Sequence, residues 1–270
     1  MISGVNVAGQ SRPHDALSIV TYNMHKGLLA GNMRLALRRM RDRLRSLAAD
    51  VVLVQEIVGQ HQRMEQRFTD WPMGTQLEYL ADSMWPHTAY GRNAVYRAGH
   101  HGNAILSRYP IIATENIDIS LNSTERRGIL HVQIDAPKFA QPLHVCCTHL
   151  NLLHRHRKRQ LAAIALRINV AVPSDCPLIL GGDFNDWRLW ASAELRDSIG
   201  VRETHLSIHG RHARTFPALS PILALDRIYV RNVRVLDSQV LDEHGWRVLS
   251  DHLGLHSVVA PLRADEHGRQ

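Results

Sequence analysis

The sequence predicts an α/β fold in which at least one mixed β-sheet is covered by helices. Three observations carry that expectation. Strand-helix-strand units recur along the chain, hairpin-like spacings fall between them, and no internal repeat or break in composition divides the 270 residues. One domain over residues 16–262 is therefore expected, between a flexible polar leader (1–15) and a short polar tail (263–270).

Residues 17–22 alternate in part and read as a strand ending in Asn23-Met24-His25-Lys26-Gly27. Asn32 offers an N-cap for a helix. Met33, Leu37, Met40, Leu44 and Leu47 follow at spacings of 4, 3, 4 and 3, which is one helical face, and arginines fill the opposite one. Residues 51–54 are wholly apolar, the pattern of a strand buried on both sides, with Gln55-Glu56 at its carboxyl end. Residues 59–100 carry little periodicity beyond a short helix over 76–84. A strand at 103–107 breaks at Tyr109-Pro110. Strands follow at 111–119, 128–134 and 143–150, the first two separated by the polar loop 122–127. The third leads into a basic run, 154–159, and then a helix marked by Leu161, Ile164, Ala165 and Ile168. Residues 178–180, 227–230, 248–249 and 255–260 supply the remaining strands.

Hydrophobic residues make up 44% of the chain and charged residues 21%, which supports a core and excludes wholesale disorder. No run approaches the ~20 apolar residues of a membrane span, and Gln10, Arg12, His14 and Asp15 interrupt any signal-peptide core, so no stable transmembrane association is expected. Lys+Arg 32 against Asp+Glu 25 gives +7, which favours an anionic partner without separating nucleic acid from anionic lipid or a small phosphate ester. Cys146, Cys147 and Cys176 cannot all pair within one chain and match no zinc spacing. A reduced, cytoplasmic protein is expected.

The informative pattern is the polar residues at strand ends: Asn23, Glu56, His149, Asp183 with Asn185, Asp226, and Asp251 with His252. Strand ends in layered α/β folds converge on one edge, where side chains are held rigidly yet stay reachable. Carboxylates and amides with few cysteines suit a hard cation, Mg²⁺ or Mn²⁺, better than structural zinc. An imidazole oriented by a carboxylate suits proton handling in phosphate-ester hydrolysis. Each residue also has an ordinary alternative: Glu56 as a helix-capping or salt-bridging residue, Asp183 to Asn185 as a turn, Asp226 paired with Arg227, Asp251 in a plain loop, Asn23 closing an Asx turn. Only their joint occurrence speaks for a site.

These residues resemble the motifs of the endonuclease/exonuclease/phosphatase superfamily, which includes DNase I-like nucleases, exonuclease III-like abasic-site enzymes, bacterial sphingomyelinases and inositol-polyphosphate 5-phosphatases. The matching pieces, in order, are Thr21-Tyr22-Asn23, Leu53-Val54-Gln55-Glu56, Gly102-Asn103-Ala104-Ile105-Leu106-Ser107-Arg108, Thr148-His149-Leu150, Gly181-Gly182-Asp183-Phe184-Asn185, Leu225-Asp226-Arg227-Ile228 and Ser250-Asp251-His252. The chain looks closest to an uncharacterised bacterial branch marked by Asn-x-His-Lys-Gly (23–27) and by the run Tyr90-Gly91-Arg92-Asn93-Ala94-Val95-Tyr96.

The resemblance implies a DNase I-like four-layer α/β sandwich, two packed mixed β-sheets flanked by helices, with the site at one edge. It implies Glu56 as the Mg²⁺ (or Mn²⁺) ligand, assisted by Asn23 and Asp251. Asp183 and Asn185 match the pair that positions water and phosphate, His149 a phosphate-contacting or proton-donating histidine, and Asp226 with His252 an Asp–His pair, His252 taking the role of general base. His100 and His101 precede Gly102-Asn103, whose counterpart loop borders the site in relatives. Asn103 and His101 are expected to touch substrate, as are Arg126 and Arg127 of the 122–128 loop.

Departures narrow the substrate. Abasic-site enzymes carry an acidic residue where this chain has His25 and a tyrosine in the mid-chain loop where it has Arg126 and Arg127. The 5-phosphatase Trp-Cys-Asp-Arg-Ile pattern is met only by Asp226-Arg227-Ile228, behind Ala224-Leu225. The basic run 154–159 has no interleaved aromatics for base stacking and reads either as a solvated helix start or as a polyanion contact. The expectation is a divalent-metal phosphodiesterase acting on a small or lipid phosphodiester. The alternatives are a DNA or RNA nuclease, a phosphomonoesterase, and a non-catalytic phosphate-binding protein.

Overall fold

Val51 and Leu53 pack on one side of their strand and Val52 and Val54 on the other, and all four are fully buried. Side chains alternate along a strand, so a continuous apolar run requires a covered surface on both sides. The computed structural model, which describes Pro13 and residues 15–29, 34–243 and 245–262, supplies both surfaces. The first half of the chain runs β1 (Leu17–Asn23), α1 (Leu37–Leu47), β2 (Val51–His61), α2 (Gln62–Arg67), α3 (Gln76–Ala81), β3 (His87–Tyr96), β4 (Gly99–Ser107), β5 (Ile111–Asp118) and β6 (Gly128–Ile134). The second runs β7 (Leu143–His149), α4 (His154–Ala171), β8 (Leu178–Asp183), α5 (Ala191–Ile199), β9 (Arg202–Glu203), α6 (Thr204–His209), β10 (Asp226–Arg231), β11 (Val233–Leu241) and β12 (Gly254–Pro261).

These strands form two six-stranded sheets, ordered β11-β12-β1-β2-β4-β3 and β5-β6-β7-β8-β10-β9. Each is mixed, with one parallel pair (β1 with β2, β7 with β8) among antiparallel neighbours. Between the sheets, Leu17, Ile19, Val51, Leu53 and Ile105 meet Leu130, Val132, Val145, Ile179 and Ile228. The outer face of the first sheet carries Val20, Val52 and Val54 under Leu37, Met40 and Leu44 of α1. Leu178, Leu180 and Cys146 on the outer face of the second lie under Leu161, Ile164 and Ile168 of α4. The result is the expected helix–sheet–sheet–helix sandwich. Cys147 faces the inter-sheet core while its neighbour Cys146 faces the helices, and all three cysteines are free and buried.

Several sequence expectations require correction. The second strand does not end at Val54: β2 continues to His61, and a bulge takes up Gln55 and Glu56 before pairing with β4 resumes at Ile57. The two polar residues broke the apolar pattern without breaking the strand. His100, His101 and Gly102 lie within β4, opposite β2 and β3, and not in a loop. The strand expected at 248–249 does not form: residues 246–248 make a 3-10 turn that Leu249 closes. Helix α1 begins at Leu37 with Ala36 at its cap; the expected cap Asn32 and the helical Met33 lie outside the described residues, as do 1–12, 14 and 263–270 of the expected leader and tail. β3, β11 and α5 had no clear pattern in the sequence.

Candidate active site

Topology brings the polar strand ends together. β1 and β2 run parallel, so Asn23 lies beside Gln55, and β12 runs antiparallel to β1, so its entry lies at the end of β1. In the second sheet β7 and β8 run parallel, with His149 beside Asp183, and β10 enters antiparallel, with Asp226 opposite Asp183. The two sheets therefore present their polar ends at one shared edge.

Asp183 is the centre of this edge. Its Oδ2 accepts from Nδ2 of Asn23 at 3.2 Å, lies 3.3 Å from Nε2 of His149 and 3.8 Å from Nε2 of His252. Its Oδ1 accepts the backbone N–H of Asn185 at 2.9 Å. Asn185, in the left-handed region (φ 49°), donates its side-chain amide to the carbonyl of Leu150 at 2.9 Å. Burial pushes the Asp183 carboxyl up to about 6, against the opposing pull of His252.

His252 stands between two carboxylates. Its Nδ1 is 2.8 Å from Oδ2 of Asp226, and the ring of Phe216 packs on it at 4.9 Å between centroids. Burial alone lowers an imidazole, but Asp226 and Asp183 outweigh it and hold His252 up to about 10. Asp226 is fully buried; its backbone N–H donates to Oγ1 of Thr215, and its Oδ1 makes no hydrogen bond among the described residues. The alternative pairing with Arg227 does not occur. Arg227, also buried, reaches the opposite face of the strand, where it donates to the carboxylate of Asp186 at 3.3 Å and to the hydroxyl of Tyr229 at 3.0 Å.

His149 is driven well below its ordinary value by burial and then by the charge of Arg127. A neutral ring whose Nε2–H donates to Asp183 leaves Nδ1 to accept from Arg127, 3.5 Å away. Arg127 thus joins the centre. Arg126 does not: it is exposed, and its charge acts on Asp118.

Glu56 and Asp251 lie nearer solvent, with side chains 20% and 33% exposed. Glu56 occupies the β2 bulge with φ 57°, a conformation rare for a residue with a Cβ and typical of functional edges. Sequence reasoning missed what faces these carboxylates. His25 (φ 46°), Lys26 (φ 59°) and Gly27 (φ 80°) form a left-handed turn that sets Nδ1 of His25 3.2 Å from Asp251 and Nζ of Lys26 4.0 Å from Glu56. The Asn-x-His-Lys-Gly motif was the available signal. Burial would raise Asp251, yet its hydrogen bond to His25 and the charge of His252 bring it below the ordinary carboxylate range.

Two expected substrate residues are placed differently from one another. Asn103 is buried and donates its amide to the carbonyls of Gly128 (3.2 Å) and Cys147 (3.4 Å), clamping the sheets together. His101, within β4, is pushed down to about 4 by burial and then by Lys26, with Glu56 opposing, and is neutral beside the turn. The basic run forms the first turns of α4; Arg155, Lys158 and Arg159 are exposed, but Arg157 is buried.

The model of the Endonuclease/Exonuclease/phosphatase family matches residues 20–252. The chain belongs to that family. Its members are hydrolases acting on phosphoric esters. The chain is also 44% identical over 252 residues, 93% of its length and 96% of the relative's, to the uncharacterized protein YbhP of Escherichia coli K12. Among solved structures, an endonuclease/exonuclease/phosphatase from Beutenbergia cavernae aligns with TM-score 0.71 at 19% identity, over 92% of this chain and 72% of that one. A humanized D. rerio TDP2 aligns with TM-score 0.69 at 21% identity, over 91% and 99%. These likenesses bear out the DNase I-like fold.

Among the described residues, Asp183, Asp226 and His252 are the one group of three candidate metal donors within 4.8 Å of one another. Glu56 and Asp251 stand outside that group. The donor chemistry separates the two sets. His252 and Asp226 are hydrogen-bonded to each other and hold a proton on the ring, which opposes metal binding there. Glu56 and Asp251 offer part-exposed carboxylate oxygens, and the buried Asn23 an amide oxygen that accepts the backbone N–H of His25 at 3.1 Å; oxygen donors of this kind fit a hard divalent ion.

Proposed function

We propose that this protein is a divalent-metal-dependent phosphodiesterase that hydrolyses a small or lipid phosphodiester by in-line attack of water. The observation that carries the reading is the convergence of Asn23, His149 and His252 on one carboxylate oxygen of Asp183. Glu56, Asn23 and Asp251 would hold the metal, Mg²⁺ or Mn²⁺. When bound, the ion neutralises charge on the phosphate oxygens.

The remaining roles follow from the protonation each residue is held in. Asp183, poised at about 6, is ionised at neutral pH yet basic enough to accept a proton from an attacking water. Asn23 and the backbone of Asn185 fix its orientation. His252, expected from the sequence to act as base, is an imidazolium below about pH 10; it gives its Nε2 proton to the leaving oxygen as that P–O bond breaks, balancing the proton that Asp183 takes from the water. Asp226 keeps that ring charged and in register. Arg127 supplies a fixed positive charge beside His149, where a non-bridging phosphate oxygen gains most from it.

Residues 122–128 contain no tyrosine, and the mid-chain loop offers arginine instead, which supports a small or lipid diester over abasic DNA. The test is a panel: bis-p-nitrophenyl phosphate, glycerophosphodiesters, phosphatidylglycerol, cardiolipin, plasmid DNA and RNA, each with Mg²⁺, Mn²⁺ or chelator. Metal-dependent turnover of a small or lipid diester, with DNA and RNA at least tenfold slower, is the expected result. Nucleic acid as the best substrate, or activity undiminished by chelator, overturns it.

A further inference from the structure

We propose that the catalytic edge docks on an anionic phospholipid surface through an apolar rim set in positive charge. The inference rests on the phosphodiesterase reading above and names its substrate class: diesters presented by a bilayer. Six large apolar side chains are exposed around the site: Leu219 65%, Ile222 63%, Leu153 49%, Leu189 44%, Trp187 43% and Val248 42%. They come from loops that follow β7 and β8 and precede β10 and β12, the same strand ends that carry His149, Asp183, Asp226 and His252.

Contacts join these loops into one surface. Arg157 donates to the carbonyl of Leu152 and stacks its guanidinium 4.3 Å over the ring of Trp187. Trp187, Leu189 and Ile222 line one cleft of about 710 Å³. Arg247 donates to the carbonyl of Leu219 at 3.4 Å, and the backbone N–H of Ala218 donates to the carbonyl of Asp251 at 2.7 Å. The rim therefore ends at the proposed metal residues.

Charge identifies the occupant. Segments 152–159, 187–190 and 211–222 each carry arginine or lysine and no aspartate or glutamate, while Arg247 beside Val248 is paired with Asp242 at 2.8 Å. Arg155, Lys158, Arg188, Arg211 and Arg214 are exposed. Aliphatic side chains interleaved with cations match a bilayer interface, where the apolar groups enter the acyl boundary and the cations meet anionic headgroups. A nucleic acid rewards cations and aromatic faces but gains little from leucine and isoleucine, and the one aromatic of the six, Trp187, already has a guanidinium on its ring.

The experiment is flotation of the full chain with vesicles of phosphatidylglycerol and phosphatidylcholine, or of phosphatidylcholine alone, at low and high salt. The parent is expected to float with the anionic vesicles, less so at high salt. Leu153→Ser/Leu219→Ser/Ile222→Ser and Arg188→Gln/Arg211→Gln/Arg214→Gln are each expected to weaken that binding about tenfold or more, with turnover of bis-p-nitrophenyl phosphate within twofold. Quenching by brominated acyl chains that is lost in Trp187→Phe reads the same contact without altering charge or the aliphatic rim. A parent that stays with the buffer, a serine variant that floats like the parent, or quenching that Trp187→Phe leaves unchanged overturns the proposal, as does preferential capture of duplex DNA by the same residues. Hydrolysis of the soluble diester without flotation removes the docking surface alone. Flotation by a protein that hydrolyses no diester removes the phosphodiesterase reading, and with it the proposed purpose of the rim.

Discussion

Nδ1 of His252 lies 2.8 Å from Oδ2 of Asp226, although the first residue leads into a strand of one sheet and the second opens a strand of the other. The pair is thus a bridge across the sandwich as well as part of the site. Its chemistry depends on both members, since the carboxylate sustains the charge on the ring. Asp226→Asn and His252→Ala are each expected to lower kcat by about a hundredfold or more, and the double variant to lose far less than the two losses combined. A complete double-mutant cycle in kcat measures this; additive losses would show two independent residues.

Glu56 sits in a bulge with its side chain part-exposed and Lys26 4.0 Å away. Removing its charge costs the fold little, because a partly exposed pair is worth roughly 0–1 kcal/mol. Glu56→Gln is therefore expected to melt within a few degrees of the parent without metal, yet to bind Mg²⁺ at least tenfold more weakly. Titration calorimetry with MgCl₂ decides it. An unchanged affinity removes Glu56 from the metal site.

Arg126 and Arg127 are neighbours in sequence but not in role. Only Arg127 reaches His149, and its charge is felt by the central residues. Arg127→Gln is expected to lower kcat/KM about tenfold or more, as a lost phosphate contact does, while Arg126→Gln stays within about twofold. Initial rates on bis-p-nitrophenyl phosphate over a salt series compare them, and equal effects would contradict the separation.

The charge on His252 also predicts a pH dependence of stability. Its value is raised from an ordinary ~6.5 to about 10, so the folded state binds the extra proton throughout that window. The stabilisation is complete below about 6.5 and is lost as pH rises toward about 10. The melting temperature of the parent relative to His252→Gln should accordingly be highest near neutrality and shrink by pH 10. The buried thiols of Cys146 and Cys147, held up to about 12, act equally on both proteins and cancel in the difference. A difference that grows with pH would mean that His252 is neutral in the fold.

Much of the architecture was legible because it rests on local periodicity. Leu37, Met40 and Leu44 are the buried stripe of α1, as their spacing required, and the apolar run at 51–54 is buried on both faces. Asn23, Asp183, Asp226 and His252 stood out as polar residues against apolar runs, and the edge they occupy is one the strand directions enforce. The patterns failed where local rules are broken: at Gln55 and Glu56, whose bulge imitates a strand end, and at His100 to Gly102, whose polarity imitates a loop.

What the sequence by itself determined is the kind of layers, the positions of most strands and the inventory of chemical groups. Only the tertiary structure decided which groups meet. It paired Asp226 with His252 and not with Arg227, joined Asn23 to Asp183, set His25 and Lys26 against Asp251 and Glu56, and gathered exposed apolar residues from four loops around the site. The reason is physical. Periodicity records how a residue relates to its own element, whereas a contact between elements depends on strand order, register and sheet packing. Those are fixed by the whole buried core, and no short stretch of chain encodes them.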